Sequence, residues 1–254
     1  MESPSPNDAS VSLRPVGMIA PQQHAESQSV SSDDRISAVL IISWNVDMMA
    51  SECKTRLRTA LAYLREQILP TPDDAPCCIM LQEVDLYAFP VLREDDWVKR
   101  HFFVVPSTPE DWPGSGYGNV TLISRALSVV STGFVDFQGS RMGRGALVVD
   151  IALPASADAS RINFVRFANV HLESLGSGTS QRKEQLKLCA RLLSMDDVSV
   201  GFVCGDMNAI RESDKNLPES LGLIDAWKGG DEDEAGFTWG WQPKQQYPPG
   251  RLVS

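Results

Sequence analysis

Four groups of polar residues that could carry out metal-assisted chemistry each follow an apolar run of the sequence. They contain Asn, Asp, Glu and His, whose oxygen and nitrogen atoms bind divalent metal ions and phosphate oxygens. A strand that ends in such residues presents them at one edge of a sheet, so four in one chain indicate a common site. The four groups are residues 43–47, 81–84, 169–174 and 204–208.

Glu83 is the strongest candidate for a metal ligand. It follows the apolar run 77–81, and a carboxylate at the end of a buried strand costs several kcal/mol unless it is paired or bound to a metal. Hard oxygen ligands without clustered Cys or His favour Mg²⁺, or Mn²⁺ in its place, over zinc. Taken alone, Glu83 could also be a strand-end acid that faces water. Asn45 and Asp47 project to one side of an extended segment, where they could equally form a turn or a cap.

The other two groups contain candidates for general-base and phosphate-binding roles. Asp206 could orient and deprotonate a water molecule while Asn208 donates a hydrogen bond to a phosphate oxygen. The alternative for this pair is a plain Asx turn after glycine. His171 ends a long apolar run and could donate to a phosphoryl oxygen or be a structural histidine. The ordered occurrence of all four groups favours a site over these single explanations.

The composition indicates a substantial core and an acidic surface. The chain has 254 residues, 43% of them hydrophobic, and a formal net charge of −10. Broad counterion release on nucleic acid needs a basic protein, so this charge argues against tight nonspecific DNA binding, but not against a metal-mediated contact to one phosphate. No apolar run is long enough to cross a bilayer. Five cysteines, an odd number without the spacing of zinc ligands, indicate reduced core thiols.

The order of predicted elements indicates an α/β fold. Residues 1–35 are rich in Ser and Pro and predict a disordered tail, followed by one domain over 36–254. Predicted helices lie near residues 57–68 and 181–193, towards the two ends of that domain, with mostly strands between them. This order predicts two packed sheets flanked by helices. Apolar runs predict strands at 38–42, 77–81, 102–105, 120–124, 128–137, 146–152, 162–170 and 198–204.

Together the four polar groups resemble the endonuclease/exonuclease/phosphatase superfamily of Mg²⁺-dependent phosphodiesterases. Within it, the chain is most similar to the tyrosyl-DNA phosphodiesterase 2 family, over roughly residues 36–239. The similarity also includes the loop at 116–118 with the strand after it, the helix start at 181–186, and the segments 224–227 and 237–239.

The resemblance implies a fold, an activity and a cellular setting. The fold would be a four-layer α/β sandwich, with two mixed sheets between helices. The activity would be hydrolysis of 5′-phosphotyrosyl bonds between DNA ends and a trapped topoisomerase, which is a DNA-repair reaction. The partner would be such a DNA end and not a membrane. The protein would be a monomer in the nucleus, with the cytoplasm as a further location, and would not be secreted.

The resemblance also implies roles for eight residues as metal ligands, catalytic groups and substrate-binding groups. They are Glu83 and Asp47 for Mg²⁺ or a substituting Mn²⁺, Asp206, Asn208 and His171 for catalysis, and Asn45, Ser174 and Trp239 for the substrate. In addition, Arg182, Lys183 and Lys187 could supply positive potential near DNA or form a solvated helix face.

One part of the family pattern is missing from this sequence. The family closes with a strand that ends in an Asp-His pair, whereas no histidine follows His171 and residues 247–254 are turn-like. We therefore expect the sandwich without that C-terminal strand, with one sheet edge exposed. We also expect greatly reduced or absent turnover by this chain, with the metal site largely formed.

Two other functions remain open from the sequence. The first is another enzyme of the same superfamily, such as an abasic-site endonuclease, a deadenylase or a phosphoinositide phosphatase. The second is a noncatalytic relative that binds DNA ends or a protein partner. Competition between substrates would distinguish the enzymes, and DNA affinity without Mg²⁺-dependent cleavage would indicate the noncatalytic relative.

Overall fold

The structure, a computed structural model, describes residues 13–20, 36, 38–69, 76–114, 116–154, 162–230 and 233–238. Its strands are β1 Arg14–Pro15, β2 Leu40–Asn45, β3 Cys77–Asp85, β4 Phe102–Val105, β5 Tyr117–Ser124, β6 Ser128–Asp136, β7 Gly145–Pro154, β8 Ile162–His171 and β9 Val200–Asp206. Its α-helices are α1 Cys53–Tyr63, α2 Phe89–Glu94, α3 Asp96–His101, α4 Thr179–Leu193, α5 Glu212–Lys215 and α6 Leu217–Ser220. A π-helical turn, Leu64–Ile68, extends α1.

The strands form two mixed sheets. One sheet has the order β2-β3-β5-β4 and the other the order β1-β6-β7-β8-β9. Each sheet contains one parallel pair, β2 with β3 and β8 with β9, and the remaining neighbours are antiparallel. Helix α1 connects the first parallel pair and α4 connects the second, as a parallel connection requires. The carboxyl ends of each pair therefore lie at one edge of its sheet.

The sheets pack face to face, with helices on both outer faces. β2 and β3 contact β8 and β9 across the sandwich. Buried residues of α1, α2 and α3 join the core of the first sheet, whereas α4 contacts β9 and shares a buried cluster with residues of β7 and β8 in the second. β3 is covered on both sides, which explains why its first six residues are all buried and its sequence shows no polar alternation. The expected sandwich of two mixed sheets between helices is confirmed.

The amino-terminal segment 13–20 differs from the sequence-based expectation. Arg14 and Pro15 pair with β6 of one sheet, and Ile19 forms a bridge to Val104 of the other. Val16 is 8% exposed and packs in the core between them. The prediction of a disordered tail is therefore wrong for residues 13–20, because one apolar side chain and main-chain pairing are enough to order a short segment. The rest of the predicted tail, residues 1–12 and 21–35, lies outside the described residues.

Two strands end the sheets on the side opposite to this segment. In the part of the chain that the structure covers, β2 and β9 each have a hydrogen-bonded neighbour on one side only. Leu40, Trp44, Val200 and Phe202 on these strands are 36–48% exposed. Residues 239–254 are not among the described residues. No helix among the described residues is both long and apolar enough to cross a membrane.

Candidate active site

The four polar groups meet where β2, β3, β8 and β9 end. Asn45 and Asp206 are the last residues of β2 and β9, His171 is the last residue of β8, and Glu83 lies near the end of β3. Because each sheet contributes a parallel pair, all four ends lie at the same edge of the sandwich. The sequence pattern thus predicted both the strand ends and their proximity.

Asn45 links two carboxylates that belong to different sheets. Its Nδ2 donates to Glu83 Oε1 at 3.1 Å and to Asp206 Oδ2 at 2.9 Å. Its Oδ1 accepts a hydrogen bond from the Asp47 main-chain N–H at 2.8 Å. The side chains of Glu83 and Asp206 are 18% and 17% exposed, so both remain accessible from the sheet edge.

Positive φ angles aim the side chains of this edge. Asp47, Glu83 and Asn208 have φ angles of 56°, 58° and 47°, a left-handed conformation that is uncommon for residues other than glycine. The pairing of β3 with β5 is irregular between Leu81 and Val84, and a bulge of this kind re-aims a side chain next to a site. The backbone therefore turns Glu83 out of the regular strand alternation and towards Asn45.

Gly205 permits the close approach of β9 to β8. Its φ is 142°, and a Cβ at this position would overlap the carbonyl oxygen of Val170. The next residue, Asp206, pairs with His171 in the parallel register of the two strands. Glycine at this position is consequently a requirement of the geometry that brings Asp206 next to His171.

The surroundings of His171 determine its tautomer. Arg144 Nη1 lies 2.8 Å from His171 Nδ1, and a guanidinium can only donate, so Nδ1 accepts and Nε2 carries the hydrogen. Nε2 lies 3.7 Å from Glu83 Oε1 and 3.6 Å from Asp206 Oδ2. Burial, and then the Arg144 charge, lower the pKa of His171 to about 4 against an opposing effect of Asp206. His171 is therefore a neutral donor near pH 7.

Arg144 is a residue of the site that the sequence did not reveal. It is 7% exposed, and its Nη2 donates to Ser174 Oγ at 3.1 Å. Its guanidinium carbon lies 5.5 Å from the centre of the Tyr117 ring. A single arginine between two glycines before a strand carries no recognisable signal in one sequence. A shallow cavity beside His171 has both Arg144 and Tyr117 in its wall.

The other expected site residues lie around this centre. Asp47 accepts from the Met49 N–H at 3.1 Å, so its carboxylate caps the turn after β2. Asn208 donates its N–H to Asp206 Oδ1 at 2.9 Å and its Nδ2 to the Leu172 carbonyl at 3.1 Å. Asp47 therefore contacts Asn45 through its main-chain N–H but is not part of the cluster of Glu83, His171 and Asp206, whereas Asn208 holds Asp206 in place. Trp239 lies outside the described residues.

Arg182 lies neither on a DNA-binding surface nor on a solvated helix face, the two environments that the sequence left open. It is 1% exposed and forms an ion pair with Asp214, with Nη2 2.7 Å from Oδ2. Its Nη1 donates to the carbonyls of Glu173 and Leu175 at 3.0 and 2.8 Å. The option that Arg182 contributes positive potential near DNA is wrong, because its charge is buried and paired. It holds the loop that carries Ser174.

The donor set fits a hard divalent cation. The atoms of Glu83, His171 and Asp206 that could bind a metal all lie within 4.8 Å of one another. Since His171 Nε2 carries a hydrogen, the two carboxylates are the available ligands of this group. His171 is the basic side chain that reaches them in the described part of the chain, and it is neutral near pH 7. Two carboxylates with no compensating charge favour Mg²⁺ or Mn²⁺.

Comparison with solved structures identifies TDP2 proteins as similar folds. D. rerio TDP2 complexed with a single-strand DNA product is 19% identical, with a TM-score of 0.59, over 84% of this chain and 80% of that one. Truncated C. elegans TDP2 is 20% identical, with a TM-score of 0.58 over the same shares. A longer C. elegans TDP2 chain is 21% identical, with a TM-score of 0.53, and is covered over 48% of its length and 68% of this chain.

Sequence comparison gives the family. No curated protein matches the chain. The model of the Endonuclease/Exonuclease/phosphatase family matches residues 42–253, which include all four polar groups of the site. The chain belongs to the endonuclease/exonuclease/phosphatase family.

Proposed function

We propose that this chain is a Mg²⁺-dependent phosphodiesterase that hydrolyses the bond between a 5′ phosphate of DNA and a tyrosine side chain. The observation that carries the proposal is the convergence of Glu83, Asp206 and the Nε2–H of His171 within 4.8 Å at one sheet edge. This set combines a metal ligand, a base and a phosphate donor. The tyrosyl substrate in this proposal is supported by the similarity to TDP2 structures, one of which contains a single-strand DNA product.

The proposed metal ligand is Glu83, with Asp47 as the second carboxylate that balances the charge of the ion. Asn45 keeps Glu83 and Asp206 at a fixed spacing through its two hydrogen bonds. When bound, Mg²⁺ would neutralise the negative charge that develops on the nonbridging phosphate oxygens. Asn45 and Ser174 would contact the phosphate, and Trp239 would contact the DNA.

Asp206 is the proposed base. It would take a proton from a water molecule whose oxygen forms the new bond to phosphorus. The bond from phosphorus to the tyrosine oxygen breaks, and that oxygen takes a proton from solvent. His171 would donate its Nε2–H to a nonbridging oxygen, where a fixed donor needs no reorganisation in the transition state. Asn208 would hold Asp206 in the orientation for proton transfer, through the hydrogen bond already present.

Release of tyrosine from a 5′-phosphotyrosyl oligonucleotide tests this proposal. We expect release that needs Mg²⁺, is abolished by EDTA, and falls about 100-fold or more in Asp206→Asn, because a positioned base contributes at least that factor. The matched control is Lys99→Ala, which removes an ion pair with Asp96 on α3, before the end of β4 that is remote from the site, and should not change release. The sequence-based expectation of low turnover remains a prediction, so the assay needs a high enzyme concentration.

The same assay distinguishes the alternatives. Preferred cleavage of an abasic duplex, poly(A) or a phosphoinositide would identify another enzyme of the family and contradict the tyrosyl substrate. DNA affinity that survives Asp206→Asn, with no Mg²⁺-dependent cleavage of any substrate, would indicate a noncatalytic relative. Because the proposed substrate is DNA, we propose that the protein is located in the nucleus. We also propose that it acts as a monomer.

A further inference from the structure

The site is divided between the two sheets. Asn45 and Glu83 belong to the sheet that contains β2 and β3, whereas His171 and Asp206 belong to the sheet that contains β8 and β9. A displacement of one sheet relative to the other would change the spacing of the two halves. Whatever fixes the relative position of the sheets therefore fixes the geometry of the site.

A pair of buried amides joins the sheets directly behind this site. Gln82 precedes Glu83, Asn169 lies two residues before His171, and the two amides are 1% and 0% exposed. Gln82 Nε2 donates to Asn169 Oδ1 at 2.8 Å. The same nitrogen donates to the Met80 carbonyl at 3.0 Å and approaches the Ser43 hydroxyl at 3.3 Å.

Asn169 makes most of its contacts across the sandwich. Its Nδ2 donates to the carbonyl of Val120 at 3.0 Å and lies 3.2 Å from Thr121 Oγ1 and 3.3 Å from the carbonyl of Leu81. Its own carbonyl accepts from Asn119 Nδ2 at 3.0 Å. All of these partners belong to the opposite sheet. The side chain and main-chain carbonyl of Asn169 therefore connect β8 to both β3 and β5.

Directional bonds of this kind determine position in a way that apolar contacts do not. The hydrophobic effect is non-directional and tolerates small shifts between packed faces. A hydrogen bond weakens steeply when its distance or angle changes, and in a dry core no water replaces it. The buried amides therefore favour one alignment of the two sheets.

We propose that Gln82 and Asn169 are positioning residues that fix the spacing between the two halves of the site. Through the neighbouring residues of β3 and β8, they set Glu83 at 3.7 Å from His171 Nε2 and keep Asp206 within reach of Asn45. This role rests on the proposed phosphodiesterase function. It assigns to the two amides no contact with the substrate or the metal.

The test is the double variant Gln82→Met/Asn169→Leu, which replaces both amides by apolar side chains of similar size. Removal of both partners leaves fewer unpaired polar groups than either single change, so we expect a folded protein. We expect Mg²⁺ affinity, measured by calorimetry on the free protein, to fall about tenfold and kcat for tyrosine release to fall about 100-fold, since a misplacement of about 1 Å has effects of that size. KM should change little.

Two further variants keep the test decisive. Gln82→Asn retains the amide on a shorter side chain and should shift Mg²⁺ affinity and kcat in the same direction by less. Ser124→Ala removes the buried hydrogen bond from Cys77 N–H to Ser124 Oγ, between the ends of β3 and β5 remote from the site. It should lower stability without changing Mg²⁺ affinity, which distinguishes positioning from a general loss of stability.

The outcomes separate the inference from the proposed function. Unchanged Mg²⁺ affinity and kcat in the folded double variant, or in Gln82→Asn if the double variant does not fold, would overturn the positioning role alone. The same loss of affinity in Ser124→Ala as in the amide variants would also overturn it. If the unchanged chain binds no Mg²⁺ and releases no tyrosine, the proposed function fails and the positioning role fails with it.

Discussion

At the scale of single residues, the site combines unusual backbone conformations with a histidine of fixed protonation. Asp47, Glu83 and Asn208 adopt positive φ angles, which are uncommon for residues other than glycine. Such conformations persist only when the surrounding contacts enforce them, and at this edge they aim polar groups at one point. His171 contributes a neutral ring because it is buried and faces the charge of Arg144.

The lowered pKa of His171 predicts how stability depends on pH. Burial and Arg144 lower this pKa from its usual 6.5 to about 4, so the unfolded chain binds the proton first as the pH falls. Stability due to the neutral ring is complete above the unfolded pKa of 6.5 and is lost as the pH falls towards 4. Between about pH 7 and about pH 5, we expect the wild type to lose about 2 kcal/mol more than His171→Asn.

Urea unfolding in the presence of EDTA measures this difference without interference from a bound metal. Acidic and basic groups remote from the site contribute equally to both proteins, so the comparison reports on His171 together with the charged groups that it contacts. Parallel pH profiles of the wild type and His171→Asn would contradict the lowered pKa.

At the scale of elements, a buried ion pair connects α4 to the loop after β8. Arg182 of α4 bonds to Asp214 of α5 and to two carbonyls of residues 173–175. Glu173, also buried, accepts from Ser140 Oγ at 2.8 Å and from the Arg141 N–H at 2.9 Å. These contacts join α4 to two loops that carry Ser174 and Arg144. The helix therefore does more than connect two parallel strands, because it holds the side of the site that contains Ser174 and Arg144.

Arg182→Met tests how much this ion pair contributes to the free energy of unfolding. The change leaves the Asp214 carboxylate buried without its partner, and we expect a loss of about 3–5 kcal/mol in the free energy of unfolding. The control Lys187→Met removes an exposed pair with Glu184 and should change stability by about 0.5 kcal/mol or less. The double variant Arg182→Met/Asp214→Leu should recover much of the loss. Equal effects of Arg182→Met and Lys187→Met in denaturant unfolding would refute this account.

At the scale of the whole molecule, the two sides of the sandwich are closed differently. Residues 13–20 bridge β6 and β4 and close one side. On the opposite side, β2 and β9 have free edges within the described residues, next to the site. A groove there, lined by Trp44, Arg56 and Tyr63 among others, leads to Asn45. The site thus lies at the more open side of the molecule.

Deletion of residues 1–20 tests the closing role of the amino-terminal segment. It removes the buried Val16 and the main-chain bonds of Ile19 to Val104 and of Ser107 to Gly17. We expect a loss of about 3 kcal/mol in the free energy of unfolding, from one buried side chain and several hydrogen bonds. Mg²⁺ affinity should be unchanged, because the segment lies away from the site. Deletion of residues 1–12 is the control and should retain most of the stability; equal losses in the two deletions would contradict the assignment.

The sequence predicted most strands of the two sheets and the proximity of four residues at strand ends. The run at 102–105 is β4, and the run at 128–137 is β6 to within one residue. Asn45, Glu83, His171 and Asp206 meet as their positions at strand ends suggested. Such features are readable because apolar periodicity and the polar residues that end a strand are local properties of the chain.

The sequence alone determined that this chain forms two sheets and places oxygen and imidazole groups at their ends. Only the tertiary structure decided how those groups act. His171 became a neutral donor through Arg144, which lies 27 residues away, Arg182 was buried by Asp214 at a separation of 32 residues, and the sheets were aligned by Gln82 and Asn169 at a separation of 87. These contacts depend on how the sheets and helices pack, so no local pattern records them. Packing between distant segments therefore converts a predictable set of residues into a specific arrangement of charge and protons.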